Sequence, residues 1–257
     1  MSTLTQLPTR PADALRKADE AGVAVWLDCR HSAPSEPVPQ AGKRPDEYVH
    51  GLLAPGAPAV RLGADPVEIV AAMADRRNAV TVGPVHSVTG YRRAMDTMLT
   101  ALETAVAEGA ARPAHPMAIE YSLPGVDAAV NARLDLVGSW EAKAMRGRAG
   151  LAGAHLMYAA LQRDLATDRW ARLLAGGARA PYLLWSTGGP SVPADRSVDY
   201  AEKCLFPGTA LALSPAALRE FDERGLVTGP TALDAAEARR VVATIAWFGV
   251  RLDATVG

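Results

Sequence analysis

Three charged residues fall where strands would end. Asp28 closes the apolar run Val23-Ala-Val-Trp-Leu, Arg61 sits in Pro58–Leu62, and Glu120 lies within Met117–Leu123. Two carboxylates flanking a guanidinium could do general acid–base work. The arginine would keep one carboxylate ionised as a base, and a drier setting would hold the other protonated as an acid. Arg61 could instead grip a substrate carboxylate or phosphate with paired hydrogen bonds. The alternative is a structural ion cluster filling a cavity, and the residues weigh the two about equally. His86, after Gly83-Pro84-Val85, could shuttle protons near neutral pH, although a loop histidine without a catalytic role is the commoner case. Ser122 and Ser186 could hydrogen-bond a ligand, and Tyr121 and Trp185 could wall its pocket. Ser186-Thr-Gly-Gly189 could cradle an anion through backbone N–H groups. No histidines have metal-ligand spacing, Cys29 and Cys204 form no CxxC, and no glycine-rich nucleotide fingerprint follows a strand. Neither a metal nor a cofactor is therefore expected.

These residues need strands and helices in alternation. Apolar runs predict strands over Val23–Asp28, Pro58–Leu62, Asn78–Val85, Met117–Leu123, Tyr182–Ser186 and Thr209–Leu213. Helical periodicity covers 11–21, 66–75, 88–108, 127–136, 148–174, 196–204, 215–224 and 232–247. Such alternation predicts a mostly parallel sheet with helices outside, in one domain over 1–257. Residues 29–57 hold Pro34, Pro37, Pro39, Pro45 and Pro55 and read as one long irregular connection. With 257 residues the chain has the length of an eight-unit βα barrel, but six strands are visible. The formal charge of -1 argues against a nucleic-acid surface, and no apolar run is long enough for a membrane span. The N-terminus lacks an apolar leader core and cysteines are few, which points to the cytoplasm.

Several segments together resemble transaldolases: Ala21–Asp28, Asn78–Tyr91 (NAVTVGPVHSVTGY), Met117–Asp127 (MAIEYSLPGVD), Met145–Pro190 and Pro207–Gly225. The resemblance runs across about three quarters of the chain in consistent order, and Met145–Pro190 is the most specific segment. The resemblance implies a contracted TIM-type βα barrel of about six parallel strands, with the second and third βα units missing and 29–57 in their place. It also implies what has been lost. The family's Schiff-base lysine belongs near the end of its fourth strand, where Arg61 stands. A catalytic threonine of its fifth strand reads Gly83. A serine of its sixth strand reads Glu120, and the phosphate-binding arginine after it reads Gly125. Ser186 is kept, but the basic phosphate ligand beyond it is replaced around Gly189-Pro190-Ser191. Asp28 alone clearly survives from the catalytic set.

Only four of the 27 basic residues are lysines, so most of the positive charge cannot form an imine. With arginine at the lysine's position, no covalent iminium intermediate is expected. Two functions remain. The first is an enzyme of lyase or cyclase type, acting on a small carbonyl-bearing or anionic metabolite in natural-product biosynthesis. Asp28, Glu120, Arg61 and His86 would perform an acid–base carbon–carbon bond step, dehydration or cyclisation. Arg61, Ser122, Ser186, Trp185 and Tyr121 would bind the substrate. The second is a catalytically inactive binding or scaffold protein. The missing strands would leave a sheet edge that dimerisation could cover, so a homodimer is predicted.

Overall fold

A computed structural model describes residues 13–30, 48–53, 59–60, 66–74, 80–109, 117–189 and 191–252. The strands are β1 (Ala24–Asp28), β2 (Val49–Leu53), β3 (Ala59–Val60), β4 (Val80–Val85), β5 (Met117–Ser122), β6 (Tyr182–Ser186) and β7 (Ala210–Leu213). The helices are α1 (Asp13–Glu20), α2 (Pro66–Ala74), α3 (Val88–Ala107), α4 (Leu123–Val137), α5 (Trp140–Lys143), α6 (Ala149–Asp164), α7 (Asp168–Ala175), α8 (Ala194–Lys203), α9 (Pro215–Arg224) and α10 (Ala235–Trp247). Every pairing is parallel, in the order β2-β1-β7-β6-β5-β4-β3. This is an α/β fold of the contracted TIM-barrel type. Among the described residues no ladder joins the outer strands β2 and β3.

All six strands read from the sequence are present. The seventh, β2, corrects the reading of 29–57 as irregular throughout. Val49-His-Gly-Leu-Leu carries neither a β-branched run nor strict alternation, so its sequence signal is weak. Its place is fixed by pairing with β1 in register Trp26↔Gly51 and Asp28↔Leu53. A Cβ on Gly51 would lie 2.6 Å from the Trp26 indole. Only the missing side chain lets the large ring and the edge strand lie so close.

The helix over 148–174 is two helices. The first ends at Asp164 with Leu165 as its C-cap, and Thr167 caps the second, its side chain accepting a hydrogen bond from the Trp170 N–H. Ser87, Ser122 and Ser214 cap α3, α4 and α9 in the same way. These caps set helix starts at the C-terminal ends of β4, β5 and β7.

Strand alternation splits the core in two. Val25, Ile119, Tyr121, Leu183, Trp185, Leu211 and Leu213 point outward into the large core shared with the helices. Ala24, Trp26, Leu53, Ala118, Leu184, Ala210 and Ala212 point inward as a second, small cluster against Tyr182. Four of its seven members are alanine, and Trp26 fills the space they leave. Its indole is fully buried, meets the Tyr182 ring edge-on at 6.0 Å, and has a buried Nε1 with no hydrogen-bond partner. No helix among the described residues is long and apolar enough to cross a membrane.

Candidate functional site: a clamped carboxylate pair at the strand ends

Asp28 is the last residue of β1, and Glu120 lies near the end of β5. Between them in the sheet stand β7 and β6. Three strand spacings of about 4.8 Å would put β1 and β5 about 14 Å apart in a flat sheet. Instead one guanidinium binds both carboxylates, so the sheet curls inward around this point. The guanidinium belongs to Arg30, two residues beyond Asp28.

Arg30 uses both in-plane edges. Its Nε and Nη2 donate to Asp28 Oδ1 at 3.0 Å and Oδ2 at 2.7 Å. Its Nη1 and Nη2 donate to Glu120 Oε2 and Oε1, both at 2.7 Å. The Arg30 backbone N–H also donates to Asp28 Oδ1 at 3.0 Å, which folds the chain back on the strand end. The side chains of Asp28, Glu120 and Arg30 are 11%, 7% and 19% exposed. Burial opposes the arginine's charge, but the hydrogen bonds it donates to Asp28 and Glu120 outweigh that and hold its pKa above the ordinary arginine value. The pair expected at strand ends is thus brought together by an arginine that sequence reasoning passed over. The usable signal was Asp28-x-Arg30, a spacing at which an aspartate can accept from the backbone N–H two residues on.

Arg61 lies outside the described residues, as do the five prolines of the 29–57 stretch. His86 follows β4 and is half-buried. Burial lowers its pKa, and its Nδ1 is buried without a partner. Ser122 and Ser186 are paired in register on β5 and β6, on the same face as Glu120. The Ser122 Oγ accepts the Gly125 N–H at 3.2 Å and so serves as the cap of α4. Tyr121 and Trp185 do not face this site. Each is adjacent in sequence to an inward residue and therefore points to the opposite face. There they meet edge-on at 6.1 Å. The Tyr121 hydroxyl donates to Gly150 O, and Trp185 Nε1 donates to Thr209 Oγ1. Burial pushes the Tyr121 pKa well up. In the turn after β6 the Thr187 N–H donates to Ala212 O at 3.4 Å. Thr187 is fully buried, its Oγ1 donating to Ala212 O and sharing a hydrogen bond with Ser197.

Gly83 has φ +137°, and a Cβ there would lie 2.8 Å from Glu120 O and 2.9 Å from Val85 N. The β4–β5 register shifts at this point. The position is committed to glycine by its backbone. Two cavities of about 280 and 260 Å³ lie elsewhere, between α6 and α10. Neither is lined by Asp28, Arg30 or Glu120. Among the described residues no group of three or more His, Cys, Asp or Glu side chains is arranged to hold a metal ion.

No family model matches the chain. It is similar to curated proteins named transaldolase. Transaldolase 1 of Streptomyces coelicolor is 35% identical over 179 residues, covering 69% of this chain and 47% of that protein. The transaldolase of Mycolicibacterium smegmatis is 33% identical over 175 residues, covering 68% and 47%. That of Parafrankia sp. is 31% identical over 173 residues, covering 67% and 47%. These matches span about half the length of each relative. On these matches the chain belongs to the transaldolase family.

Proposed function

We propose that this chain is a catalytically silent transaldolase relative that works as a binding or scaffold protein. One observation carries the reading: the two carboxylates at the strand ends are both held, at low exposure, by the protein's own Arg30. A general base must reach a substrate proton, and a nucleophilic lysine must reach a carbonyl. Here the oxygens that would do such work already accept from an internal guanidinium, and Trp26 packs the space below them. Where the resemblance expects the imine-forming lysine the sequence has Arg61, which supports the reading.

The reading is tested by borohydride trapping with fructose 6-phosphate and sedoheptulose 7-phosphate. No substrate-dependent lysine adduct is expected, and such an adduct overturns it. A second reading keeps an enzyme of the acid–base type, and it draws on the convergence of Asp28 and Glu120 and, separately, on the unpartnered Nδ1 of His86. Turnover of a small carbonyl metabolite, lost in both Asp28→Asn and Glu120→Gln, would favour that reading and discard the first.

The binding surface we propose is the sheet edge at β2, covered by a second copy of the chain. An uncovered parallel edge presents unpaired backbone groups. Size-exclusion chromatography with light scattering is expected to give a dimer, and a monomer across the accessible concentration range rejects this part.

A further inference from the structure

We propose that the cavity between the starts of α6 and α10 binds a small α-amino acid with an apolar side chain. The site lies apart from the strand ends, so the inference goes beyond the reading above and stands whether or not those ends are silent.

The cavity has a volume of about 260 Å³, below the ~300–1,000 Å³ usual for drug-sized ligands, which limits the guest to a small metabolite. Four polar side chains line it: Arg148, His155, Asp234 and Glu237. Much of the remaining wall is apolar, with Leu151 and Val241 its largest members. Arg148 is only loosely engaged by the chain. Its Nη2 donates to Glu237 Oε1 at 3.4 Å and its Nη1 to Met145 Sδ at 3.7 Å. A charge-assisted bond between nitrogen and oxygen is normally about 2.7–2.9 Å. Glu237 does not depend on this contact, because its Oε2 accepts from Arg240 Nε at 2.8 Å. The Arg148 and Glu237 side chains are 49% and 42% exposed, so a guest can reach between them. Asp234 commits Oδ1 to capping α10, accepting the Glu237 N–H at 2.8 Å, and keeps Oδ2 for a guest. His155 Nδ1 accepts the Asp234 N–H at 3.1 Å, so the proton of the neutral ring sits on Nε2. Burial holds the His155 pKa below the usual histidine value, so the ring adds no charge at neutral pH.

The charges decide the guest. One guanidinium and two carboxylates line a single small space. A purely anionic guest gains Arg148 but meets Asp234 and Glu237, and a purely cationic guest meets Arg148. A zwitterion satisfies both signs at once. Its carboxylate accepts paired hydrogen bonds from Arg148, and its ammonium offers three donors to Glu237 Oε1 and Asp234 Oδ2. In an α-amino acid the two charges share one carbon, which suits partners whose nearest atoms are 3.4 Å apart. The side chain then covers Leu151 and Val241. A polyol could pair with the same polar groups. Its remaining hydroxyls would be buried against the apolar wall without partners, which costs free energy.

The experiment is isothermal titration calorimetry of the full chain at neutral pH with L-leucine, isocaproate, isoamylamine and myo-inositol. Isocaproate is leucine without its amine, and isoamylamine is leucine without its carboxylate. Leucine is expected to bind saturably, and the two half-charged analogues and the polyol at least about tenfold more weakly. Arg148→Gln and Glu237→Gln are each expected to weaken leucine binding by at least about tenfold, since each removes a charged hydrogen-bond partner. Thermal unfolding checks that both variants are folded, and if one does not accumulate the other decides. Absence of saturable binding by leucine, valine, alanine and methionine alike overturns the site. So does an analogue or myo-inositol that binds as tightly as leucine, or leucine binding unchanged in a folded variant. A lysine adduct in the trapping experiment would sink the silent-barrel reading without touching these titrations, so the two failures are distinct.

Discussion

Arg30→Ala is expected to destabilise the protein by about 3–5 kcal/mol at neutral pH, the size of effect found when one partner of a buried charge cluster is removed. At about 2–4 °C per kcal/mol for a chain of this length, the unfolding midpoint falls by roughly 10 °C. The cost comes less from the lost bonds than from what remains. Two carboxylates of 7% and 11% exposure are left near each other without their cation. Urea unfolding of wild type and variant at neutral pH measures this. A deficit below about 1 kcal/mol at neutral pH, within the range of exposed ion pairs, would show that the clamp is a surface feature.

Trp26→Ala is expected to cost about 3–5 kcal/mol, the usual range for emptying a buried aromatic site. The inner face cannot collapse to fill the gap, because its remaining members are mainly alanine and the residue opposite is Gly51. Trp26→Phe should cost clearly less. The indole Nε1 has no hydrogen-bond partner, so its loss removes no bond and leaves no polar group unsatisfied. Equal losses in the two variants would mean that ring area is not what fills this space. Chemical denaturation of the pair, compared at constant slope, decides between these outcomes.

Much of the architecture was legible in the sequence, because long periodic segments carry their own signal. The six strands and most helix spans follow from apolar runs and helical periodicity. Val49–Leu53 escaped because an edge strand with glycine at its centre shows no alternation, and its place depends on the bulk of Trp26 far away in sequence. The site was legible in part. Asp28 and Glu120 could be put at strand ends by pattern alone, but which cation joins them depends on how tightly the sheet curls. Tyr121 and Trp185 illustrate a different error. The period-two rule already places each on the opposite face from its neighbour, so Glu120 and Tyr121 cannot line one pocket from a regular strand. Arg30 was hidden by its position at the start of a proline-rich stretch that read as connection only.

Gly83 bears on the history of the molecule. At this position the resemblance expects threonine, and here the backbone of β4 approaches Glu120 O so closely that no side chain fits. The φ of +137° bars other residues for the same reason. The glycine is thus coupled to the neighbouring strand, and a threonine restored on its own would meet a backbone already adjusted to its absence. A side chain at position 83 therefore needs a second change as well, one that moves β4 away from Glu120 O, so no single substitution there is accommodated by the present sheet.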